Sequence, residues 1–177
     1  AKLYVRSQLC MEHCEHLLPK YLSFLAVLVD SEDLCLNICP EALSQSKILR
    51  VIRKQLMKHA MKLFSDLTED EQKFKTFYEA FSAYLKLGIQ EDSVNRANIS
   101  KLLRYPSSKC EGEKQTSLEN YLSRMPKGQK YVYCDLISKG QDVLFLREKW
   151  KDLESEVLFI LDPLDEAAWE ALEWTFE

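Results

Sequence analysis

The stretch from Asp30 to Phe64 constrains the fold more than any other. It opens with an acidic run, Asp30-Ser31-Glu32-Asp33, and passes through Leu34 to Ile38, which alternates as a short extended piece. A long helix follows. Pro40 and Glu41 carry the start signals: proline's missing N–H is no loss at the first helical position, and an acid suits the positive end of the helix dipole. Leu49, Ile52, Leu56, Ala60 and Leu63 recur at three and four residues and predict the buried seam. Lys47, Arg50, Arg53, Lys54, Lys58 and Lys62 fall on much of the opposite side. A solvated face is ordinary there; the functional alternative is a docking face for an acidic partner or a phosphate.

The flanks supply the remaining elements. Lys2 to Arg6 alternates as a strand that must pair with a distant segment or with strands upstream. Met11 to Val29 reads as a helical region through Leu17, Leu18, Tyr21, Leu22, Leu25 and Leu28, with Pro19 able to kink it. Thr68 to Glu71 has the form of a capping box, opening a helix with Phe74, Phe77, Tyr78, Phe81, Tyr84 and Leu85 and ending near Gly88. The aromatic stripe has no interleaved basic residues, so it reads as core and not as a base-stacking platform. Ser93 to Leu103 predicts a serine-capped helix, Tyr105 to Gln115 an exposed polar loop, and Thr116 to Met125 a helix stopped by Pro126 and Gly128. From Lys130 the pattern becomes strand (Tyr131 to Cys134), helix (Gln141 to Leu153), strand (Glu156 to Leu161), helix (Asp165 to Phe176). That alternation implies a parallel pair joined by a crossover, with a third strand supplied from beyond Glu177 or elsewhere. The exposed half-sheets predict self-association through unpaired edges.

Composition narrows the function. With 46% hydrophobic and 29% charged residues and only 4 glycines and 5 prolines in 177 residues, the chain reads as an ordered, helix-rich α/β protein. A net charge of −4 gives no overall footprint for nucleic acid or anionic membrane, and no apolar run is long enough to span a bilayer. Neither a signal peptide's apolar core nor a retention tetrapeptide is seen, and six cysteines in a chain of this length read as reduced, buried and cytoplasmic. The repeated C-x3-C spacing of Cys10/Cys14 and Cys35/Cys39, with His13 and His16 nearby, raises a zinc site. Zinc knuckles normally use C-x2-C with glycine turns, so no metal is assigned. Asp30, Glu32 and Asp33 lack the remaining oxygens of a calcium loop. No Gly-rich phosphate loop, zinc-protease helix or nucleophile elbow is present, and no catalytic residue is assigned.

Several segments together resemble the middle domain of the ninety-kilodalton heat-shock chaperones. The match begins with Asp30-Ser31-Glu32-Asp33-Leu34-Cys35-Leu36-Asn37 and Lys47-Ile48-Leu49-Arg50-Val51-Ile52-Arg53-Lys54. It continues in Phe77-Tyr78-Glu79-Ala80-Phe81-Ser82, Lys86-Leu87-Gly88-Ile89, Glu91-Asp92-Ser93, Leu102-Leu103-Arg104-Tyr105, Ser123-Arg124-Met125 and Asp162-Pro163-Leu164-Asp165-Glu166, in the family's order. The resemblance implies the last strand and helix of a larger α/β/α part over 1–30, a helical connector over 31–126, and a smaller, incomplete α/β/α part over 127–177. It further implies an ATP-dependent chaperone in the cytoplasm, in which this chain is a docking scaffold for client proteins and co-chaperones. The parent's N-terminal ATPase domain, which holds ATP and magnesium, and its C-terminal dimerisation domain would be the flanking partners.

In that family the loop after L-x-L-N supplies an arginine to the ATP γ-phosphate, assisted by a glutamine four residues on; a guanidinium fork there neutralises charge developing on the phosphoryl oxygens. Asn37 matches, but Pro40 and Ser44 stand where the arginine and glutamine would be. The resemblance therefore implies a scaffold that no longer assists hydrolysis, or one in which Arg50 or Arg53 substitutes. The competing reading is a stand-alone helical interaction module without ATP coupling. On either account the chain alone is not an enzyme and holds no cofactor.

Overall fold

The computed structural model describes residues 1–12, 17–32, 47–136 and 142–173, and the chain is mixed α/β as expected. It divides into two compact units, Ala1–Lys75 and Thr76–Glu177.

The first unit is built on a three-stranded sheet in the order β2-β1-β3. Strand β1 (Lys2–Val5) turns back antiparallel onto β2 (Gln8–Met11), and β3 (Leu28–Ser31) runs parallel to β1 on its other edge, Leu3 opposite Val29. The first strand thus finds its partners downstream. The connection from β1 to β2 is the two residues Arg6 and Ser7, both with positive φ, 48° and 63°. This is the twist a two-residue hairpin needs, yet neither residue announces it. Asp30 holds the turn: its carboxylate accepts from the Ser7 N–H at 3.1 Å and from the Ser7 hydroxyl at 3.2 Å.

The helix expected over Met11 to Val29 is not formed. Within its described residues there are only the end of β2, a 3-10 turn (Lys20–Leu22) and the start of β3. Pro19 is extended (φ −68°, ψ 160°) immediately before the turn, so no longer helix runs through it. The apolar positions nonetheless go inside: Leu17, Tyr21 and Leu22 are fully buried. A three-to-four spacing records which residues face a core and does not by itself establish a helix.

Helix α1 (Lys47–Leu67) packs on this sheet, Leu49 joining Leu3, Val5 and Leu17 while Ile52 and Leu56 lean against them. Its lower seam runs through Met57, Ala60 and Phe64, with the Phe64 ring 6.1 Å from that of Phe24. Leu63, expected in the seam, is 58% exposed; one residue is about 100° of helix rotation, and Phe64 has the core position. The break after α1 is also assigned differently. Thr68 donates its hydroxyl to the Ser65 carbonyl, while Asp70 accepts from the Lys73 N–H at 3.1 Å and so caps α2 (Glu71–Glu91).

In the second unit α2 continues straight through Gly88, whose carbonyl accepts from Asp92 N–H. The next helix, α3 (Arg96–Ser100), is shorter than expected and has no serine cap: Asp92 instead receives the Asn95 N–H and side-chain amide. Strands β4 (Arg104–Tyr105) and β5 (Thr116–Ser117) then pair, enclosing a loop that is not wholly exposed. Tyr105, Pro106 and Ser107 are buried, and exposure begins at Lys109. The reason is the sheet beyond. Strand β7 (Val157–Ile160), buried at every position, runs parallel to β6 (Tyr133–Leu136) on one edge. Residues 106–108 occupy the other edge through Phe159 N–H to Pro106 and Ser108 N–H to Val157, both 2.9 Å. Helix α4 (Leu118–Arg124) starts on the Ser117 hydroxyl, α5 (Val143–Trp150) on Asp142, and α6 (Pro163–Glu173) has proline at its first position with Asp162 accepting from Leu164 N–H.

Candidate functional site

Two sets of charged residues stand out, and they behave oppositely. The first set lies in the second unit, where polar side chains from separate sequence segments are tied together. Lys86 of α2 reaches Asp165 of α6 at 2.8 Å and Asp162 at 3.7 Å, with the Lys86 and Asp165 side chains only 10% and 5% exposed. Burial pushes the Asp165 carboxyl up from its ordinary value, and the Lys86 ammonium partly offsets this. Tyr78 of α2 grips Arg104 by its backbone: the phenol donates to the carbonyl and accepts from the N–H, each at 3.0 Å. Burial raises that phenol far above its usual range, so it remains a neutral donor. Tyr105, on the next residue, packs its ring 5.6 Å from Trp169 of α6.

A second knot closes on Glu156, which is 4% exposed. Its carboxylate accepts from the Ser107 hydroxyl at 2.6 Å and from the Arg124 guanidinium at 2.9 and 3.0 Å, and Arg124 also donates to Thr116. The forked hydrogen bonds to Glu156 hold the Arg124 guanidinium above even its ordinary value. Tyr121 donates to the Glu156 carbonyl and accepts from Tyr133 N–H, joining helix α4 to both strands of the parallel pair. On the far side Asp135 of β6 accepts from the Trp150 indole at 2.7 Å and Lys149 at 2.9 Å. Burial would lift this carboxyl, but those two bonds outweigh it and hold it below its ordinary value.

The second set is the face of α1. Lys47, Arg50, Arg53, Lys54, Lys58 and Lys62 are all exposed, and among the described residues none of them forms an ion pair. Between Lys47 and Ser65 the helix carries no acid. Five of the six cations, all but Arg53, fall within an arc of about 120° and run for about 22 Å along the axis. Val51 lies inside the same arc and is 60% exposed.

Asn37, Pro40 and Ser44 lie outside the described residues, as do the expected helix start at Pro40, Asp33, Cys14, Cys35, Cys39, His13 and His16. Among the described residues no group of histidines, cysteines and acids could hold a metal ion. Cys10, Cys110 and Cys134 are free, but they are not fully buried as expected: Cys10 and Cys110 are half-buried and Cys134 lies on the exposed strand β6. Its thiol is still shielded enough for burial to push it up to about 11. Asp30 has become a turn-holding group and not a cation ligand. Glu156 and Asp165 were missed as partners of Arg124 and Lys86, because sequence motifs do not say which charges meet across a gap of dozens of residues.

Residues 1–176 match the family described as Hsp90 protein. Heat shock protein 83 of Leishmania donovani is 42% identical over 168 residues, covering 93% of this chain and 37% of that protein. The chaperone protein HtpG of Nitrosomonas europaea is 41% identical over 174 residues, covering 93% and 27%, and the chloroplastic heat shock protein 90-5 of Arabidopsis thaliana 39% identical over 173 residues, covering 94% and 22%. A solved structure of the middle domain of a Plasmodium falciparum heat shock protein superposes with a TM-score of 0.82 at 29% identity, over 98% of this chain and 67% of that one. The chain belongs to the Hsp90 family of heat-shock chaperones, and its fold is that of the family's middle domain. It spans well under half the length of these curated relatives.

Proposed function

We propose that this chain is the docking and coupling scaffold of an ATP-dependent heat-shock chaperone, placed between a nucleotide-binding domain and a dimerisation domain and presenting surface to clients and co-chaperones. The carrying observation is that the family match extends over residues 1–176, with family-type segments of the second unit interlocked by Lys86–Asp165 and Tyr78–Arg104 into a packed body of their own. Such a body transmits displacement as a unit, because close-packed interiors have low compressibility.

ATP would be bound by the parent's separate N-terminal domain, with magnesium there. The residues this chain offers toward the γ-phosphate do not fit the family's assisting role: Pro40 has no side-chain donor and Ser44 no amide. No step of hydrolysis is assigned to this chain. Arg50 and Arg53 stand ten and thirteen residues beyond Pro40 in sequence, and neither is given the arginine's role. A cytoplasmic setting fits the three cysteines that are free among the described residues. Among the described residues no helix is long and apolar enough to cross a membrane.

The loss of the arginine and glutamine favours one second reading, an interaction module uncoupled from ATP. One experiment separates the two. The segment is grafted into an intact chaperone of the family, as it stands and with Pro40→Arg and Ser44→Gln together, and ATPase rates are measured. The scaffold reading expects a slow native graft and a restored variant faster by about 10²-fold, the scale of one charge-stabilising donor. A graft that stays slow after restoration supports the uncoupled module. An active native graft would show that another residue does the arginine's work.

A further inference from the structure

We propose that the cationic face of α1 binds an acidic polypeptide segment that carries an apolar anchor residue among its carboxylates. The proposal rests on the docking-scaffold reading and names its partner chemistry. Elsewhere in the described chain the notable cations are engaged: Lys86 with Asp165, Arg124 with Glu156, Lys149 with Asp135, Lys73 with Asp70. On α1 six cations stand exposed with no acid on the helix before Asp66. Like charges three and four residues apart on one helix face repel one another, so an anion laid along them relieves repulsion as well as adding attraction. The row of about 22 Å matches about seven residues of extended chain or about four helical turns of a partner.

The surface itself argues for a polypeptide over a polyphosphate. Val51 is 60% exposed inside the cationic arc, and an apolar side chain on the partner would cover it. No aromatic ring lies on that arc to stack a base, which single-stranded nucleic acid would use. The chain as a whole carries −4, so its long-range field does not gather a densely charged polyanion, while a short acidic segment meets only the local face.

The test is fluorescence anisotropy of a labelled 15-residue peptide of alternating Glu-Leu-Glu character, titrated with the full chain at low and at physiological salt. Saturable binding is expected, weakened at least 10-fold by Lys54→Glu with Lys58→Glu, preserved by Lys54→Arg with Lys58→Arg, and weakened several-fold by Val51→Ser. A matched all-Glu peptide should bind more weakly than the Leu-containing one. The same variants are read against single-stranded RNA and against vesicles containing phosphatidylserine. No saturable binding of the peptide, or tighter binding of RNA or vesicles with the same loss on charge reversal, would overturn the proposal. Failure here would leave the graft result untouched, so the two readings fall separately.

Discussion

The two units of the chain use charge in opposite ways. In the second unit a cation meets a buried carboxylate from a segment far away in sequence: the buried Lys86 with Asp165, and the partly exposed Arg124 with Glu156. In the first, the sheet and α1 are held by an apolar cluster around Leu3, Val5, Leu17 and Leu49, and the cations of α1 are left to solvent. Buried charge must be paired, because an uncompensated ion in the interior is expensive. Exposed charge has no such obligation. The difference separates charges that hold this fold from those free to meet something else.

The largest expected effect comes from breaking the most buried pair. Lys86→Met leaves Asp165 without its cation and should destabilise the second unit by about 3–5 kcal/mol, whereas Lys86→Met with Asp165→Leu should recover much of that loss. Chemical denaturation monitored by tryptophan fluorescence, all three tryptophans lying in the second unit, would show it. The pH dependence carries a sign. Burial raises the Asp165 carboxyl in the folded state, so the folded chain holds its proton more tightly than the unfolded one. In Lys86→Met, where the offsetting cation is removed, stability should therefore rise as pH falls from neutrality toward the ordinary carboxylate range. A flat profile there would count against the assignment.

Next in size is Glu156→Gln, which keeps the shape but removes the charge that Arg124 meets. Arg124 is 44% exposed at its side chain, so water takes over part of its solvation and a loss of about 1–3 kcal/mol is expected. A smaller effect of opposite sign is expected at the hairpin. Ser7 has a φ of 63°, and Ser7→Gly should relieve about 1 kcal/mol of left-handed strain, less whatever the lost hydroxyl contact with Asp30 contributed; thermal unfolding would read the balance. A fourth, kinetic effect concerns Cys134. With its thiol pushed up to about 11, alkylation at pH 7.5 should be much slower than for a free cysteine, and rapid labelling would show that β6 is less shielded than described.

How much of this was legible beforehand follows from which physics each residue obeys. The parallel strand pair around Tyr133 and Phe159 and the helices beside it were readable, because buried strands and capped helices advertise themselves locally. The exposed cations of α1 were readable for the same reason. The hairpin at Arg6-Ser7 was not: its turn lacks Gly or Asn, and the carboxylate that stabilises it comes from Asp30, a residue read as part of an acidic loop. The helix expected across Pro19 does not form because apolar spacing marks which residues face a core and carries no hydrogen-bond pattern of its own. Leu63 and Phe64 exchanged places through a single residue of phase. Glu156, the centre of the second unit's polar knot, looked like the ordinary edge of a strand, since only the fold brings Ser107 and Arg124 to it.

One measurement tests the division between holding charges and docking charges most directly: urea unfolding of the Lys54→Glu, Lys58→Glu double variant beside the unaltered chain. If those cations hold nothing, the midpoint should stay within about 0.5 kcal/mol of the original, as for surface substitutions away from structural contacts. A loss approaching that of Lys86→Met would mean that the α1 face is part of what holds the first unit together, and the account of it as a free docking surface would be wrong.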